Sequence, residues 1–243
     1  MGFQCQQFYL KDDRCAMKVS TDSLLLGAWV ELSAVARVAD FGCGCGILAL
    51  MIAQRTSANV TIYAIERDQQ AAQQAADNVA ASPWPQKVRV VHHDIRHSTA
   101  ELFDLVISNP PYFSGSLASG DNQRALARQG DDLDLNDWFA CAAGATSANG
   151  QIAMVVPASQ WQRLHQYSQQ QGWSVARCCA VSTVAHKAPK LMLAQWQRDT
   201  IATTYEQLLI QNNGRYTDQF RQLTGAFYLA GTTSVDPVPV CPD

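Results

Sequence analysis

The sequence predicts an α/β protein with a mostly parallel sheet flanked by helices. Short apolar runs typical of buried strands alternate with longer helical patterns, and this alternation is characteristic of βαβ units. A glycine-rich turn directly follows the first apolar run. Polar residues follow the next runs, which is expected where a parallel sheet presents a ligand site at the carboxyl ends of its strands.

The first part of the predicted sheet comprises two strands with their helices. Residues 37–41 (RVADF) form the first strand, and residues 47–55 have the dense apolar positions of a helix packed on a sheet. Residues 60–65 are predicted as the second strand. An alanine-rich helix is expected over residues 69–81 and should end before Pro83.

The same alternation continues through the middle of the chain. Residues 87–91 and 103–107 are predicted as the third and fourth strands. After a long polar loop, residues 137–146 are expected to be helical. A fifth strand is expected over residues 151–156, followed by a helix over residues 159–171.

The remaining residues are expected to complete the sheet. Residues 173–181 and 190–196 are predicted as closing strands that pair with each other. A further strand is expected over residues 205–210 and a final helix over residues 217–229. The proline-rich residues 231–243 are expected to be a disordered tail.

Composition excludes several classes of protein. The chain is 47% hydrophobic and 16% charged, as is typical of soluble globular proteins. It contains no apolar run of about 18 residues and begins with no secretory signal, so we expect a cytoplasmic protein without a membrane span. Its eight cysteines show no zinc-binding C-x-x-C spacing, so we expect no metal.

Basic residues are unevenly distributed, although the net charge is only −3. Residues 138–198 contain no Asp or Glu but include Lys187 and Lys190. The polar loop over residues 113–132, which we expect to be mobile, adds Arg124 and Arg128. A solvated surface is the simplest interpretation of such stretches. Beside a nucleotide-chemistry motif, these four side chains become candidate contacts for nucleic-acid phosphates.

The sharpest local motif is the glycine loop that follows the first strand, with Asp40, Gly42, Gly44 and Gly46 in the pattern D-x-G-x-G-x-G. Glycines let a backbone turn tightly and approach a ligand closely. A dinucleotide-binding loop would instead have the spacing G-x-G-x-x-G. An acid two residues before the first glycine suits a cationic ligand, such as the ammonium group of a methionine moiety, better than a phosphate.

Two further acids follow the next strands. Glu66 follows the second strand, where a carboxylate can accept hydrogen bonds from both hydroxyls of a ribose. Asp94 follows the third strand, where a carboxylate can accept from an adenine amino group. Any one of these acids could be an ordinary helix cap. Three acids at the carboxyl ends of successive strands favour a ligand site at this edge of the sheet.

The fourth strand ends in Asn109-Pro110-Pro111-Tyr112. The lone pair of an exocyclic amino nitrogen is delocalised, which makes the nitrogen a poor nucleophile. The Asn109 side-chain oxygen and the Pro110 carbonyl could each accept one of its N–H bonds and draw the nitrogen toward a tetrahedral shape. The prolines would hold these acceptors still, and Tyr112 would stack on an unstacked base. A plain Asn-Pro turn is the alternative for an isolated motif.

Residues 109–112 resemble the N-P-P-Y motif of N-methyltransferases that act on adenine, cytosine or glutamine amide groups, and the glycine loop resembles that of class I methyltransferases. The rest of the chain is similar to the tRNA(Val) adenine-N6 methyltransferase family. The similar stretches are residues 14–22 (RCAMKVSTD), 24–29 (LLLGAW), 48–56 (LALMIAQRT), 82–84 (SPW) and 225–229 (GAFYL).

This resemblance implies a Rossmann-like class I methyltransferase domain over residues 36–230, with a mostly parallel seven-stranded sheet. It implies S-adenosyl-L-methionine as cofactor and tRNA as partner, with the target adenine just 3′ of the anticodon. Residues 1–35 would cover the cofactor and the substrate, and Thr21 would belong to the part that folds over the cofactor. Asn109 would contact both cofactor and base.

Two alternatives stay open. A glutamine-N5 methyltransferase acting on release factors shares N-P-P-Y, but such enzymes usually carry a helical N-terminal domain, for which about 35 residues leave little room. A non-catalytic protein that binds S-adenosylmethionine and RNA is the other alternative, and the intact Asn109 argues against it. The sequence leaves the oligomeric state open, and we favour a monomer.

Overall fold

The structure is a computed structural model that describes residues 2–97, 101–111 and 133–228. Eleven strands occur in this part of the chain. Their bounds are β1 (Gly2–Gln4), β2 (Tyr9–Lys11), β3 (Arg37–Phe41), β4 (Thr61–Glu66), β5 (Val88–His92), β6 (Phe103–Ser108), β7 (Thr146–Pro157), β8 (Ser174–Val184), β9 (Leu191–Gln197), β10 (Thr204–Asn212) and β11 (Arg215–Tyr216).

Nine of these strands form one mostly parallel sheet within the described residues. Strands β5, β4, β3, β6 and β7 lie side by side in that order and are all parallel. The expected pairing of the two closing strands is confirmed, because β9 runs antiparallel to both β7 and β8. Strand β10 then pairs with β8 in parallel, and β11 pairs with β10.

The expected number of seven strands is wrong, because β10 and β11 extend the sheet beyond β8. Strand β8 would otherwise be an edge strand with unpaired backbone groups, which proteins commonly cover. Strand β10 covers them from Thr204, opposite Arg177, to Gln211, opposite Val184.

Six helices are described, and they cover both faces of the sheet. Their bounds are α1 (Thr21–Trp29), α2 (Ile47–Arg55), α3 (Gln69–Ala80), α4 (Leu135–Ala145), α5 (Ala158–Gln170) and α6 (Asp218–Thr224). Helices α1, α2, α3 and α6 contribute to one buried hydrophobic cluster. Helices α4 and α5 contribute to a second cluster. Both clusters are lined by strand residues, so the sheet is the middle layer of three.

The alternation of side chains along the strands explains this layering. Val38 of β3 belongs to the first cluster, whereas Ala39 and Phe41, one and three positions further along the strand, belong to the second. Leu105 and Val106 of β6 divide in the same way. Successive side chains of a strand point to opposite faces, so a run that is apolar at every position requires cover on both sides.

Several predicted boundaries differ from the structure, most of them by one to three residues, and three of them lie beside local hydrogen bonds or a neighbouring element. The helix expected over residues 137–146 begins earlier, at Leu135, because the Asp134 side chain accepts from the first backbone N–H groups of α4. Strand β7 begins at Thr146, directly after that helix, rather than at residue 151. The last helix ends at Thr224, where the hydroxyl donates back to the Phe220 carbonyl.

The N-terminal residues pack on the main sheet layer rather than standing apart from it. Cys5, Phe8 and Leu10 are buried in the same cluster as Leu24 and Leu25 of α1. In the described part of the chain, no helix combines the length and the apolar character needed to cross a bilayer.

Candidate functional site

The carboxyl ends of β3, β4, β5 and β6 lie at one edge of the sheet because these strands are parallel and in register. Asp40 of β3 pairs with Ala64 of β4 and with Ile107 of β6, and Glu66 of β4 pairs with His92 of β5. The residues that follow these strands therefore meet at this edge, as the sequence predicted.

The glycine loop adopts a conformation that favours glycine at each position of the motif. Gly42, Gly44 and Gly46 have φ angles of +67°, +53° and +88°. A Cβ atom on Gly42 would lie 3.0 Å from the Trp138 ring, whereas a Cβ on Gly44 would meet nothing within 4 Å. The loop is thus closely packed at Gly42 and open beside Gly44, where a ligand could approach the backbone.

Asp40 lies beneath this loop, and its side chain is fully buried. Its Oδ2 atom accepts the backbone N–H of Ala49 at 3.0 Å, so it caps α2, whose N-cap residue Gly46 has no side chain to do so. Its Oδ1 atom is buried without a hydrogen-bond partner. Burial raises the pKa of Asp40 to about 7. One oxygen is therefore structural, and the other is left for a donor that a cationic ligand could supply.

Glu66 connects the end of β4 to the glycine loop. Its Oε2 atom accepts the backbone N–H of Gly44 at 2.9 Å, and its Oε1 atom accepts that of Asp68 at 2.9 Å. A carboxylate oxygen has more than one acceptor site, so both oxygens can still accept from a ligand hydroxyl. Binding of ribose hydroxyls by Glu66 stays a prediction.

Asp94 follows β5 and is paired with Arg96, which sequence reasoning did not foresee. The Arg96 guanidinium and backbone N–H both donate to the Asp94 carboxylate, and the guanidinium hydrogen bonds lower the pKa of Asp94 to about 2. An adenine amino group would share this carboxylate with Arg96. The pair borders an open depression of about 460 Å³, whose lining residues are Arg67, Asp68, His92, His93, Asp94 and Arg96.

Asn109 follows β6 and is held by the start of α1. Its Nδ2 atom donates to the Ser23 hydroxyl at 2.9 Å and lies 3.4 Å from the Ser20 hydroxyl. The side-chain oxygen Oδ1 is consequently turned away from these serines. Pro110 is buried and Pro111 is partly buried. Tyr112 lies outside the described residues.

Sequence reasoning missed both serines, although Ser20 has a recognisable signal. A serine directly before an apolar periodic segment is a typical helix N-cap, and Ser20 accepts from the Ser23 backbone N–H in this way. Thr21, which the resemblance assigns to the cofactor, is the first residue of the same helix and is partly buried. Its contact with a cofactor stays a prediction.

A second unforeseen connection links the ends of β3 and β6. The Ser108 hydroxyl donates to the Phe41 carbonyl at 2.7 Å and accepts the indole N–H of Trp138 at 2.8 Å. Ser108 directly precedes Asn109, and Phe41 directly precedes Gly42. These hydrogen bonds therefore fix the glycine loop relative to the N-P-P-Y motif.

The N-terminal strand β2 is connected to the glycine loop through a side chain of α3. The Asn78 side chain of α3 donates to the carbonyls of both Lys11 and Cys45 and accepts the backbone N–H of Lys11. Cys43 and Cys45 are buried within the loop. Among the described residues, no group of His, Cys, Asp or Glu side chains is arranged to hold a metal ion.

Residues 138–198, which contain no Asp or Glu, do not form a uniformly positive surface, because acids from other parts of the chain pair with two of their arginines. Arg163 forms an ion pair with Asp134, and Arg177 forms one with Glu206 while packing on the Trp29 ring.

Lys187 and Lys190 are exposed between β8 and β9. Because Leu191 of β9 pairs with Pro157 at the end of β7, this turn lies at the same edge of the sheet as Asn109. Arg124 and Arg128 lie outside the described residues.

Comparison with solved structures supports the fold. The chain resembles a crystal structure described as a predicted O-methyltransferase from Agrobacterium tumefaciens, with a TM-score of 0.64 and 20% sequence identity over 85% of this chain and 96% of that one. It also resembles a crystal structure described as a putative class I S-adenosylmethionine-dependent methyltransferase from Listeria monocytogenes, with a TM-score of 0.55 and 15% identity over 84% and 65% of the two chains. At these identities, the likeness shows the class I methyltransferase fold.

Sequence comparison identifies the family. Residues 15–136 match the family described as "Methyltransferase small domain". The chain is 42% identical to the tRNA1(Val) (adenine(37)-N6)-methyltransferase of Tolumonas auensis, over 94% of this chain and 97% of that protein. It is 40% identical to the protein of the same name from Aeromonas hydrophila, over the same shares. The chain therefore belongs to the tRNA1(Val) (adenine(37)-N6)-methyltransferase family.

Proposed function

We propose that this protein transfers the methyl group of S-adenosyl-L-methionine to N6 of an adenine in tRNA, the adenine just 3′ of the anticodon in a valine tRNA. The observation that carries the proposal is the orientation of Asn109 beside the glycine loop, in a chain of this family. A cytoplasmic location follows from the tRNA substrate.

The residues at the loop fit the cofactor. The buried, unpartnered Oδ1 of Asp40 suits the ammonium group of the methionine moiety, and the space beside Gly44 admits a ligand close to the backbone. Glu66 would accept hydrogen bonds from the ribose hydroxyls, and Asp94 would accept one from the adenine amino group. Thr21 would belong to the segment that covers the bound cofactor. When bound, the cofactor supplies an electrophilic methyl group on a sulfonium.

The protein's own contribution is to make the adenine nitrogen a nucleophile. Asn109 Oδ1 and the Pro110 carbonyl would each accept one N6–H bond, which localises the lone pair on the nitrogen. Pro110 and Pro111 have restricted φ angles, so the two acceptors stay in place. Tyr112 would stack on the base. The methylated nitrogen then releases a proton to solvent, so the reaction needs no strong base, and positioning provides most of the rate.

Lys187 and Lys190 support RNA as the substrate. Both lie at the edge of the sheet that carries Asn109. They precede β9, which is separated from β6 by one strand, β7. Strands in a sheet are about 4.8 Å apart, so the turn is roughly 10–15 Å from Asn109, within the width of an RNA hairpin. With Arg124 and Arg128, these lysines would contact phosphates around the target nucleotide.

The experiment measures methyl transfer from radiolabelled S-adenosylmethionine to tRNA that lacks the modification, with the product nucleoside identified by mass spectrometry. We expect N6-methyladenosine in one valine tRNA. Asn109→Ala should lower turnover at least about a hundredfold, a much larger effect than any loss of affinity for S-adenosylhomocysteine. Asn59→Ala is the matched control, because Asn59 is exposed at the opposite edge, before β4.

Three outcomes would contradict the proposal. Methylation of a release-factor glutamine instead of tRNA would identify the glutamine-N5 alternative. Binding of cofactor and tRNA without transfer would identify the non-catalytic alternative. Unchanged turnover in Asn109→Ala would remove Asn109 from the mechanism.

A further inference from the structure

Ser23 lies at the junction between α1 and the N-P-P-Y motif. It is 6% exposed, and its hydroxyl oxygen is 2.9 Å from Asn109 Nδ2 although the two residues are 86 positions apart in the chain. Ser20 approaches the same nitrogen at 3.4 Å. An asparagine side-chain nitrogen has two N–H donors, and the two serine oxygens supply one acceptor for each. The nitrogen end of this amide is therefore directed into α1.

The role of Ser20 as a helix cap is compatible with this direction of the amide. As the N-cap residue, Ser20 accepts the Ser23 backbone N–H with one lone pair of its hydroxyl oxygen, and a second lone pair stays available for another donor. Asn109 Nδ2 approaches the same oxygen as a donor. A reversed amide would make Oδ1 accept from the serine hydroxyls and would turn two N–H donors toward the substrate. Such an amide could not accept an N–H bond from an exocyclic amino group.

We infer that Ser23, supported by Ser20, is a positioning residue for methyl transfer. Its hydroxyl holds the nitrogen end of Asn109, so that Oδ1 is presented to the target amino group. This inference rests on the proposed function. It makes the start of α1 part of the catalytic site through hydrogen bonding to Asn109, separately from any contact of Thr21 with the cofactor.

The first test is kinetic and uses the full chain with tRNA. Ser23→Ala should lower kcat about tenfold, because one orienting hydrogen bond is removed, while the KM for tRNA and the affinity for S-adenosylhomocysteine change less than about twofold. Ser23→Cys keeps the side-chain volume but supplies only a weak acceptor, so it should show a similar loss in a folded protein. Ser159→Ala, an exposed serine near the start of α5, is the matched control.

A double-mutant cycle separates positioning from general damage. In the Asn109→Ala background, Ser23→Ala should cause no further loss of kcat, because the residue on which it acts is gone. A tenfold loss that persists in that background would overturn the inference. Wild-type kcat in both Ser23→Ala and Ser23→Cys would also overturn it.

The second test observes the contact without tRNA. In protein labelled with ¹⁵N-asparagine, the side-chain amide signal of Asn109 is assigned by its absence from Asn109→Ala. We expect this signal to move in Ser23→Ala and to stay in place in Ser159→Ala. An unmoved signal would overturn the contact itself. A wild-type protein that methylates no adenine would instead overturn the proposed function and the catalytic role of Ser23, whatever the amide signal shows.

Discussion

Asp40 and Ala49 are joined by a 3.0 Å hydrogen bond that uses one carboxylate oxygen and leaves the other buried without a partner. The same side chain thus caps α2 and places an unsatisfied acceptor beneath the glycine loop. A buried acceptor of this kind lowers stability unless a ligand provides a donor. Two measurable consequences follow from this arrangement, one for folding and one for binding.

The stability of the ligand-free protein should fall as the pH rises from about 4 to about 7. The pKa of Asp40 is about 7 in the folded protein because of burial, against an ordinary value of about 3.9 in the unfolded chain. The folded state therefore binds more protons in this range, and the Asp40 contribution amounts to a few kcal/mol, on the order of 1.4 kcal/mol for each pKa unit. Urea unfolding between pH 4 and pH 8 measures it.

Asp40→Asn is the control for this dependence, since it keeps an acceptor for Ala49 but cannot ionise. Its unfolding free energy should lack the fall that the wild type shows between pH 4 and pH 7. Parallel curves for the two proteins would show that Asp40 ionises normally.

Binding of S-adenosylhomocysteine should release protons near pH 6. An ammonium group beside Asp40 favours the ionised carboxylate and lowers its pKa in the complex. Affinity should therefore rise with pH until about 7 and then level off. Calorimetry in buffers of different ionisation enthalpy measures the protons released. We expect none in this range from Asp40→Asn, and equal release from both proteins would place the ammonium elsewhere.

Alanine substitutions in the glycine loop should separate strain from steric conflict. Gly44→Ala places a side chain at a φ of +53° in open space, which should cost about 1–2 kcal/mol of stability. Gly42→Ala adds a close contact with the Trp138 ring and should cost more. Gly144→Ala is the control, because Gly144 lies in α4 and a Cβ atom there would meet nothing within 4 Å. It should stabilise the folded protein by up to about 1 kcal/mol.

Urea unfolding ranks these three variants. Affinity for S-adenosylhomocysteine should fall in Gly42→Ala and Gly44→Ala and stay unchanged in Gly144→Ala. A Gly44→Ala protein as stable as the wild type would mean that the loop does not hold its positive φ angles.

The salt dependence of tRNA binding should identify the phosphate-binding edge. Lys187→Glu combined with Lys190→Glu should weaken binding and reduce the slope of log K against log salt by about 1 for each lysine that no longer neutralises a phosphate. Arg198→Glu is the control, because Arg198 follows β9 at the opposite edge of the sheet. An unchanged slope in the lysine variant, or an equal change in Arg198→Glu, would rule out this edge as the tRNA-binding surface.

Local patterns in the sequence predicted the strands and helices that build the site. They did not predict the hydrogen bonds between distant residues that hold the site together. The strand over residues 37–41 and the helix over residues 47–55 match the structure at both ends, because apolar runs and a glycine turn mark their limits. The Asn109–Ser23 and Ser108–Trp138 hydrogen bonds join residues far apart in the chain, which no local periodicity reveals. The Arg96–Asp94 pair is local, but only the structure shows that the two side chains meet.

The hydrogen bonds of Asn78 to Lys11 and Cys45 also bear on the dynamics of the protein. Since one side chain joins the N-terminal hairpin to the glycine loop, local opening of either should release the other. Slowly exchanging amide protons in β2 and at the start of α2 should then share one opening free energy in hydrogen-exchange measurements. A chain that lacks residues 1–11 should accordingly expose the amides of α2 to solvent, although the deletion lies more than thirty residues upstream.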